Sequence, residues 1–185
     1  MAIVINGSGT VTGLAVGGLP DGTVDAGTLA TDSVTAAKLE ASAITVGDLP
    51  AGSVLQVVSS QAGSSSFSTT NSTVQSTGHS ATITPSSTSS KIYVVVSFNG
   101  YQSTHGRTYK AYLYRASTQI GGLHLYEDGD SNPKTSSCIT VLDSPSTTSA
   151  VTYEMKVGTD GSGTSYYNYS YSQGKDAITL MEIAG

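Results

Sequence analysis

The sequence lacks tryptophan and has one cysteine, five prolines and few charged residues. Cys138 can form no disulfide within the chain, so packing or assembly must stabilise the fold. With eight bases against thirteen acids, the net charge of −5 argues against nucleic acid and anionic membranes as partners. No apolar run approaches the ~20 residues of a membrane-spanning helix, so no membrane insertion is expected.

Hydroxyl side chains are abundant instead, with 30 Ser and 25 Thr beside 21 Gly among 185 residues. Ser, Thr and Gly are poor helix formers and Thr suits strands, so an all-β fold is expected. All thirteen aromatic residues lie in residues 61–185, and residues 1–60 have none. Because a core needs large side chains, the second part can build one and the first part cannot build one alone. The boundary is predicted near Gln56.

The first part carries a strict repeat, in which an aliphatic residue recurs at every fifth position. A period of five fits neither the 3.6-residue turn of a helix nor the two-residue alternation of a strand. Each repeat has too little apolar surface to fold alone, so neighbouring repeats or chains must supply the rest. A single-chain β-solenoid and an intertwined trimer are both open, and the shortness of the segment favours the trimer. The predicted shaft core consists of Leu14, Leu19, Val24, Leu29, Val34, Leu39, Ile44, Leu49 and Val54.

The second part alternates short apolar strands with turn residues such as Asn99-Gly100 and Ser144-Pro145. Eight to ten strands in about 130 residues are typical of a jelly-roll β-sandwich. The strand Lys91–Asn99 is apolar on both faces, which predicts a central position or burial between protomers. The clearest strands are predicted at Val54–Ser59, Ser80–Thr84, Lys91–Asn99, Tyr109–Arg115, Ser137–Asp143, Ala150–Val157, Tyr166–Ser172 and Ala177–Ile183, and weaker ones at Ser66–Thr70 and Gly122–Tyr126.

Both parts resemble proteins of tailed bacteriophages. The shaft unit Val34-Thr35-Ala36-Ala37-Lys38-Leu39 looks like the decapeptide repeats near the start of many phage fibre proteins. Residues 80–185 are similar to a widespread family of phage fibre tip domains. The motifs that carry this similarity, in the family's order, are Ala81-Thr82-Ile83-Thr84-Pro85, Ser89-Ser90-Lys91-Ile92, Ala111-Tyr112-Leu113-Tyr114-Arg115, Leu142-Asp143-Ser144-Pro145, Val151-Thr152-Tyr153 and Ile178-Thr179-Leu180-Met181-Glu182-Ile183-Ala184-Gly185.

The resemblance implies a homotrimeric tail fibre, exposed on the virion, that binds a host surface glycan or protein during adsorption. Residues 1–13 are expected to attach to other virion proteins. A tail or baseplate protein is favoured over a capsid protein as the attachment partner. Residues 14–55 are expected to form the shaft, and residues 56–185 the jelly-roll tip that carries the receptor site. Two alternatives stay open, namely a capsid head fibre or decoration protein without an essential receptor, and a fibre that cleaves glycans.

Candidate receptor contacts come from a polar loop, an acidic turn and a tyrosine-rich strand. In an extended strand Tyr167, Tyr169 and Tyr171 share one face and Tyr166 takes the other. Such rings suit stacking on sugars, and they suit a trimer interface equally well. The residues predicted to contact the receptor are Tyr101, His105, Arg107, Glu127, Asp128, Asp130, Asn132, Tyr166 and Tyr167.

No catalytic residue, cofactor or metal site is expected. The three histidines show no zinc-ligand spacing, and the chain has no G-x-S-x-G nucleophile elbow. Asp128-Gly129-Asp130-Ser131-Asn132 has the opening spacing of a calcium loop but lacks its later glycine and glutamate. The acidic residues near this turn would have to face one another to cleave a glycan, and solvated loop acids are the simpler interpretation.

Overall fold

The computed structural model describes residues 43–63, 66–127, 134–169 and 176–185, preceded by residues 4–5, 11–12, 29, 31, 33–35, 37, 39 and 40. The chain forms two compact units, residues 1–45 and residues 46–185. Within the described ranges, no helix has the length and apolar character needed to cross a membrane.

In the first unit, the described residues include one antiparallel strand pair. β1 (Val4–Ile5) pairs with β2 (Val11–Thr12). Of the predicted shaft residues in this unit, Leu29, Val34, Leu39 and Ile44 are 44–56% exposed in the single chain. The remaining predicted shaft residues of this unit, Leu14, Leu19 and Val24, lie outside the described residues.

The second unit is a sandwich of two antiparallel sheets, which confirms the predicted all-β fold. A 3₁₀ turn at Val46–Asp48 precedes the strands. The strands are β3 (Val54–Gln61), β4 (Phe67–Thr69), β5 (Gln75–Ile83), β6 (Lys91–Gln102), β7 (Arg107–Arg115), β8 (Thr118–Glu127), β9 (Lys134–Asp143), β10 (Val151–Thr159), β11 (Ser165–Tyr167) and β12 (Ala177–Ile183).

The strands pair as one nested hairpin that folds back at the turn between β7 and β8. β7 pairs with β8, β6 with β9, β5 with β10, β4 with β11, and β3 with β12. The nested hairpin curls over so that β6 also pairs with β12 and β7 also pairs with β10. The two sheets therefore have the strand orders β3-β12-β6-β9 and β5-β10-β7-β8. The short strands β11 and β4 extend the first sheet beside the end of β6. This is the strand order of a jelly roll.

The core fills the space between the two sheets, because alternate residues of each strand point inward. Ile92, Val94, Val96 and Phe98 of β6 are at most 2% exposed, and they pack with inward residues of both sheets. β6 pairs with β12 on one side and with β9 on the other, so the prediction that this strand is central is confirmed.

The sandwich has two distinct ends. At the entry end, Gly52 donates to the carbonyl of Ala184 and Ala184 donates to that of Ser53, both at 2.8 Å. The antiparallel register places the β5–β6, β7–β8 and β9–β10 connections at this end as well. The opposite end, called the loop end below, carries the β6–β7 and β10–β11 connections, the last residue of β8 and the first residue of β9.

Candidate functional site

The loop end gathers residues that are far apart in the sequence. The β6–β7 loop at residues 103–106 lies against the β10–β11 loop at residues 160–164. Ser103 donates its N–H to the carbonyl of Thr164 at 3.0 Å, and Thr164 donates its N–H to Oγ of Ser103 at 2.8 Å. These two bonds tie the loops together and hold a surface built from both.

Gln102 fixes the base of this surface from below. Its side chain is fully buried, and its Nε2 donates to Oγ1 of Thr159 at 3.0 Å and to Oγ of Ser165 at 3.2 Å. Its Oε1 accepts the N–H of Ser103 at 2.9 Å. A buried amide with its donors and acceptor used defines one conformation, so the loops stand on a rigid base. The sequence gives no signal for this role, because Gln102 stands in a polar run that resembles an ordinary connection.

Three tyrosines form a cluster at the loop end. Tyr101 and Tyr166 are opposite each other on β6 and β11, with ring centroids 5.2 Å apart. The ring of Tyr169 lies 4.8 Å from that of Tyr101 and 5.2 Å from that of Tyr166. Burial, followed by the neighbouring Tyr169 and Tyr166, raises the pKa of Tyr101. The Tyr101 hydroxyl therefore stays a protonated donor at neutral pH, and the neighbouring rings of Tyr166 and Tyr169 are partly exposed.

The cluster forms because the chain turns at Asn168. This residue has a φ of +52°, a left-handed conformation that Asn adopts more readily than most residues. β11 therefore ends at Tyr167, and Tyr169 comes to the side of Tyr166 instead of the opposite side. The predicted strand Tyr166–Ser172 is thus too long, and its predicted grouping of Tyr167 with Tyr169 is wrong. Tyr171 lies outside the described residues.

The structure places the other predicted contacts at the same end where it describes them. His105 is exposed in the β6–β7 loop, and Arg107 is partly exposed as the first residue of β7. The backbone of Glu127 is opposite Arg107 in the β7–β8 pair. Asp128, Asp130 and Asn132 lie outside the described residues. Tyr101, His105, Arg107 and Tyr166 thus share one end of the sandwich, and among them Tyr101 is buried, at 9% exposure.

Tyr167 is the exception, because it belongs to the core. Its side chain is 1% exposed and stacks against Phe98, with ring centroids 6.2 Å apart. Its hydroxyl lies 2.5 Å from Nδ1 of His79, and Nε2 of His79 lies 3.1 Å from the carbonyl oxygen of Ser60. The prediction that Tyr167 contacts a receptor is therefore wrong, since β11 turns this ring inward. His79 holds Tyr167 in place.

A buried carboxyl lies at the start of β12, beneath the loop end. Asp176 is 1% exposed, and its Oδ1 accepts the N–H and the side-chain Nδ2–H of Asn99, both at 2.9 Å. Within the described part of the chain, its Oδ2 and the buried hydroxyl of Tyr109 have no hydrogen-bond partner. Burial raises the pKa of Asp176 although hydrogen bonds from Asn99 and Asn168 lower it. Burial, followed by Tyr167 and Asp176, likewise raises the pKa of Tyr109.

No group of three or more His, Cys, Asp or Glu side chains that could hold a metal ion occurs among the residues that the structure describes. His105 is in a loop, His79 is buried beside Tyr167, and His124 is hydrogen-bonded to the hydroxyl of Tyr112. What the loop end offers chemically is a set of hydroxyl, imidazole, guanidinium and aromatic groups suited to binding.

No family model and no curated protein matches the chain. Among solved structures, it is similar to that of the infectious bursal disease virus Gt strain, at 12% identity and a TM-score of 0.40. It is also similar to the VP2 subviral particle of that virus, at 12% identity and 0.41, and to a VP2 variant in derived T=1 particles, at 13% and 0.38. Each comparison covers 70% of this chain and 38%, 37% and 36% of the respective structure. The chain thus spans just over a third of the length of the structures it matches.

Proposed function

We propose that this protein is a homotrimeric structural fibre of a tailed-phage virion that binds a host surface glycan through its loop end. The observation that carries the proposal is that the candidate receptor residues lie at the end of the sandwich opposite the one where the chain enters. The chain enters at one end, where Gly52 and Ser53 bond to Ala184. Tyr101, His105, Arg107 and Tyr166 come together at the other. We therefore expect the receptor to contact the loop end, which is the end of the sandwich opposite Gly52 and Ser53.

The chemistry of the loop end favours a glycan over an ionic ligand. Sugars present an apolar face that stacks on aromatic rings and hydroxyls that need both donors and acceptors. The partly exposed Tyr166 and Tyr169 of the cluster supply the rings, and the adjoining loops supply Ser, Thr, His and Arg side chains. Stacking on one or two rings gives modest affinity, which a trimer and many fibres per virion would multiply.

The repeats in residues 14–55 support the trimeric part of the proposal. Leu29, Val34, Leu39 and Ile44 expose about half of their surface in the single chain. Burying apolar surface is favourable by ~25 cal/mol per Å². Leaving an aliphatic side chain exposed at every fifth residue is therefore unfavourable unless other chains cover these side chains. Three chains side by side would bury them along one axis.

The test is binding of the fluorescently labelled full chain to a panel of purified bacterial surface polysaccharides. Tyr166→Ala is expected to weaken binding at least tenfold in this multivalent assay, because it removes a partly exposed ring of the cluster. Tyr114→Ala is the matched control, since Tyr114 is a partly exposed tyrosine on β7 near the entry end. Its binding should equal that of the parent.

Three outcomes would contradict the proposal. Equal losses for Tyr166→Ala and Tyr114→Ala would place the receptor site elsewhere. An intact chain that binds none of the polysaccharides would favour the decoration protein without an essential receptor. Release of reducing sugars during the assay would favour the glycan-cleaving fibre over a purely binding one.

A further inference from the structure

The two outer faces of the sandwich differ in charge. The outer face of the β5-β10-β7-β8 sheet carries Lys110, Glu154, Lys156 and His124. Two of these charged groups are paired with each other, since Nζ of Lys156 lies 3.6 Å from the Glu154 carboxylate and 4.4 Å from the ring centroid of Tyr114. A charged, internally paired surface of this kind is typical of a sheet face that water covers.

The outer face of the β3-β12-β6-β9 sheet, called the apolar face below, has a row of large apolar side chains. The register aligns Leu142 of β9, Tyr93 of β6, Met181 of β12 and Val57 of β3 in one line across all four strands. Leu142 is 60% exposed, Val57 56% and Tyr93 37%. In the single chain, this row therefore meets solvent along the full width of the sheet.

The rows beyond this line are also uncharged. The next row holds Thr140, Val95, Thr179 and Ser59, and the one after it holds Cys138, Ser97, Ala177 and Gln61. Lys91 lies at the corner of the face, where its Nζ donates to Oγ of Ser144 at 2.8 Å. Depletion of charge at the centre of a surface distinguishes protein interfaces from the rest of a protein's surface.

We propose that other copies of this chain cover the apolar face, which makes it the sheet-to-sheet contact of the assembly. The inference rests on the homotrimer of the proposed function and names the surface through which its sandwiches meet. Copies with a net charge of −5 repel one another wherever their acids approach. A face without acids lets identical copies approach without that repulsion.

Continuity with the repeats identifies the occupant as the same chain. The five-residue aliphatic series ends at Val54, which is 54% exposed and is the first residue of β3. Val54 pairs with Ile183 at the corner of the apolar face, two pairs along the ladder from Val57 and Met181 and beyond a register shift. Copies held together through the repeats would therefore hold their apolar faces at high local concentration.

The area of the face agrees with an interface that works together with the repeats. Four strands ~4.8 Å apart and six residues rising ~3.4 Å each give roughly 400 Å². A stable interface of standard size buries about 800 Å² per partner, so the face supplies about half of that. The exposed aliphatics of the repeats would supply the rest.

The first test measures the solution mass of the full chain by light scattering. Leu142→Glu places a charge at the β9 end of the exposed row, on an edge strand where the folded monomer tolerates it. The mass is expected to fall from about three chains to one. Thr152→Glu is the control, because Thr152 is exposed on the opposite outer face. It should leave the mass unchanged, and circular dichroism should show both variants folded.

The second test uses Cys138, the only cysteine of the chain, which is exposed on the apolar face in the single chain. Its reaction with a maleimide is expected to be at least tenfold slower in the assembled parent than in Leu142→Glu. The control combines Cys138→Ser with Ser80→Cys, which moves the thiol to an exposed position on the other sheet. That thiol should react quickly in both the assembled and the dissociated protein.

The outcomes separate this inference from the proposed function. A trimer that survives Leu142→Glu, or whose Cys138 reacts quickly, would overturn the apolar face as the contact while leaving the homotrimer standing. A monomeric full chain would overturn both. A mass of three chains that Leu142→Glu reduces to one, with Cys138 protected in the parent, supports the inference.

Discussion

Two buried carboxyls, Asp176 and Glu182, have opposite surroundings. Oε1 of Glu182 accepts the N–H and the hydroxyl of Ser86, both at 2.6 Å, and Oε2 accepts Nε2–H of Gln56 at 2.6 Å. Burial raises the pKa of Glu182, but these hydrogen bonds outweigh burial and hold it below its usual value. Burial dominates at Asp176, and its pKa is raised. One carboxyl therefore stabilises the fold when it is ionised, and the other when it is protonated.

This contrast predicts opposite pH dependences. The folded pKa of Asp176 is above its unfolded value, so its ionisation destabilises the fold as pH rises through the folded pKa. Asp176→Asn keeps the Oδ1 acceptor and removes the buried charge, and it should raise the free energy of unfolding at pH 7 by about 1 kcal/mol. The gain should disappear towards pH 4.

Glu182→Gln is the matched comparison in the same denaturation series. The folded pKa of Glu182 is below its unfolded value, so its contribution is present at neutral pH and is lost as pH falls through the folded pKa. We expect a loss of about 2 kcal/mol at pH 7 that narrows in acid. Effects that do not change between pH 4 and 7 for either variant would contradict this assignment.

Gly100 makes a close approach that a side chain would block. A Cβ at this position would lie 2.8 Å from Cζ of Tyr109, whose ring is fully buried and stacks against Phe98. Because the ring has no room to move, Gly100→Ala should cost about 2 kcal/mol in urea denaturation. Gly63→Ala, where nothing lies within 4 Å of the added atom, should change stability by less than about 0.5 kcal/mol. Equal effects would mean that the ring can shift.

At the scale of the strands, one ion pair joins the two sheets at the entry end. Nη1 of Arg115 on β7 lies 2.8 Å from both carboxylate oxygens of Asp143 on β9, and the hydroxyl of Tyr153 on β10 donates to the same carboxylate at 2.8 Å. The hydrogen bond to Asp143 adds to burial, the larger cause, in raising the pKa of Tyr153. The Arg115 and Asp143 side chains are 29% and 10% exposed, so solvent screens the pair only in part.

A double-mutant cycle of Arg115→Ala and Asp143→Ala should therefore give a coupling of about 1 kcal/mol in the free energy of unfolding. The pair Glu154 and Lys156, at 3.6 Å on one strand, is the control. Its coupling should stay below about 0.5 kcal/mol, as is usual for surface pairs within one element. A coupling for Arg115 and Asp143 no larger than that of the control would mean that the pair does not join the sheets energetically.

The strands also show which elements can be predicted from the alternation of apolar and polar residues and which cannot. Alternation predicts the position of β6, and its two apolar faces correctly predict a central place in the sheet. It fails at β5, which begins at Gln75, ahead of the predicted Ser80. Gly78 has a φ of +74° inside that strand, opposite the register shift between Glu154 and Lys156 of β10. A bulge of this kind cannot be distinguished from a turn in the sequence, because glycine is common in both.

For the whole molecule, the receptor contacts named from the sequence stay a prediction, and the structure brings four of those residues to one end of the sandwich. Tyr101, His105, Arg107 and Tyr166 meet at one end because loops between antiparallel strands alternate between the two ends. Strand alternation predicts that Tyr169 lies on the same face as Tyr167. The left-handed conformation of Asn168 instead ends β11 and brings Tyr169 beside Tyr166. The apolar face could not be predicted, because its row exists only once the register of four strands is fixed.

The nested pairing also sets the order in which the protein can be completed. Ser59 and Thr179 are opposite each other on β3 and β12, yet they are 120 residues apart in the sequence. A ribosome that adds about 5–20 residues per second leaves β3 without this partner for roughly 6–24 s. During that interval an apolar strand edge is open to other nascent chains. A chaperone that covers β3 would therefore increase the yield of folded protein without changing the stability of the finished fold.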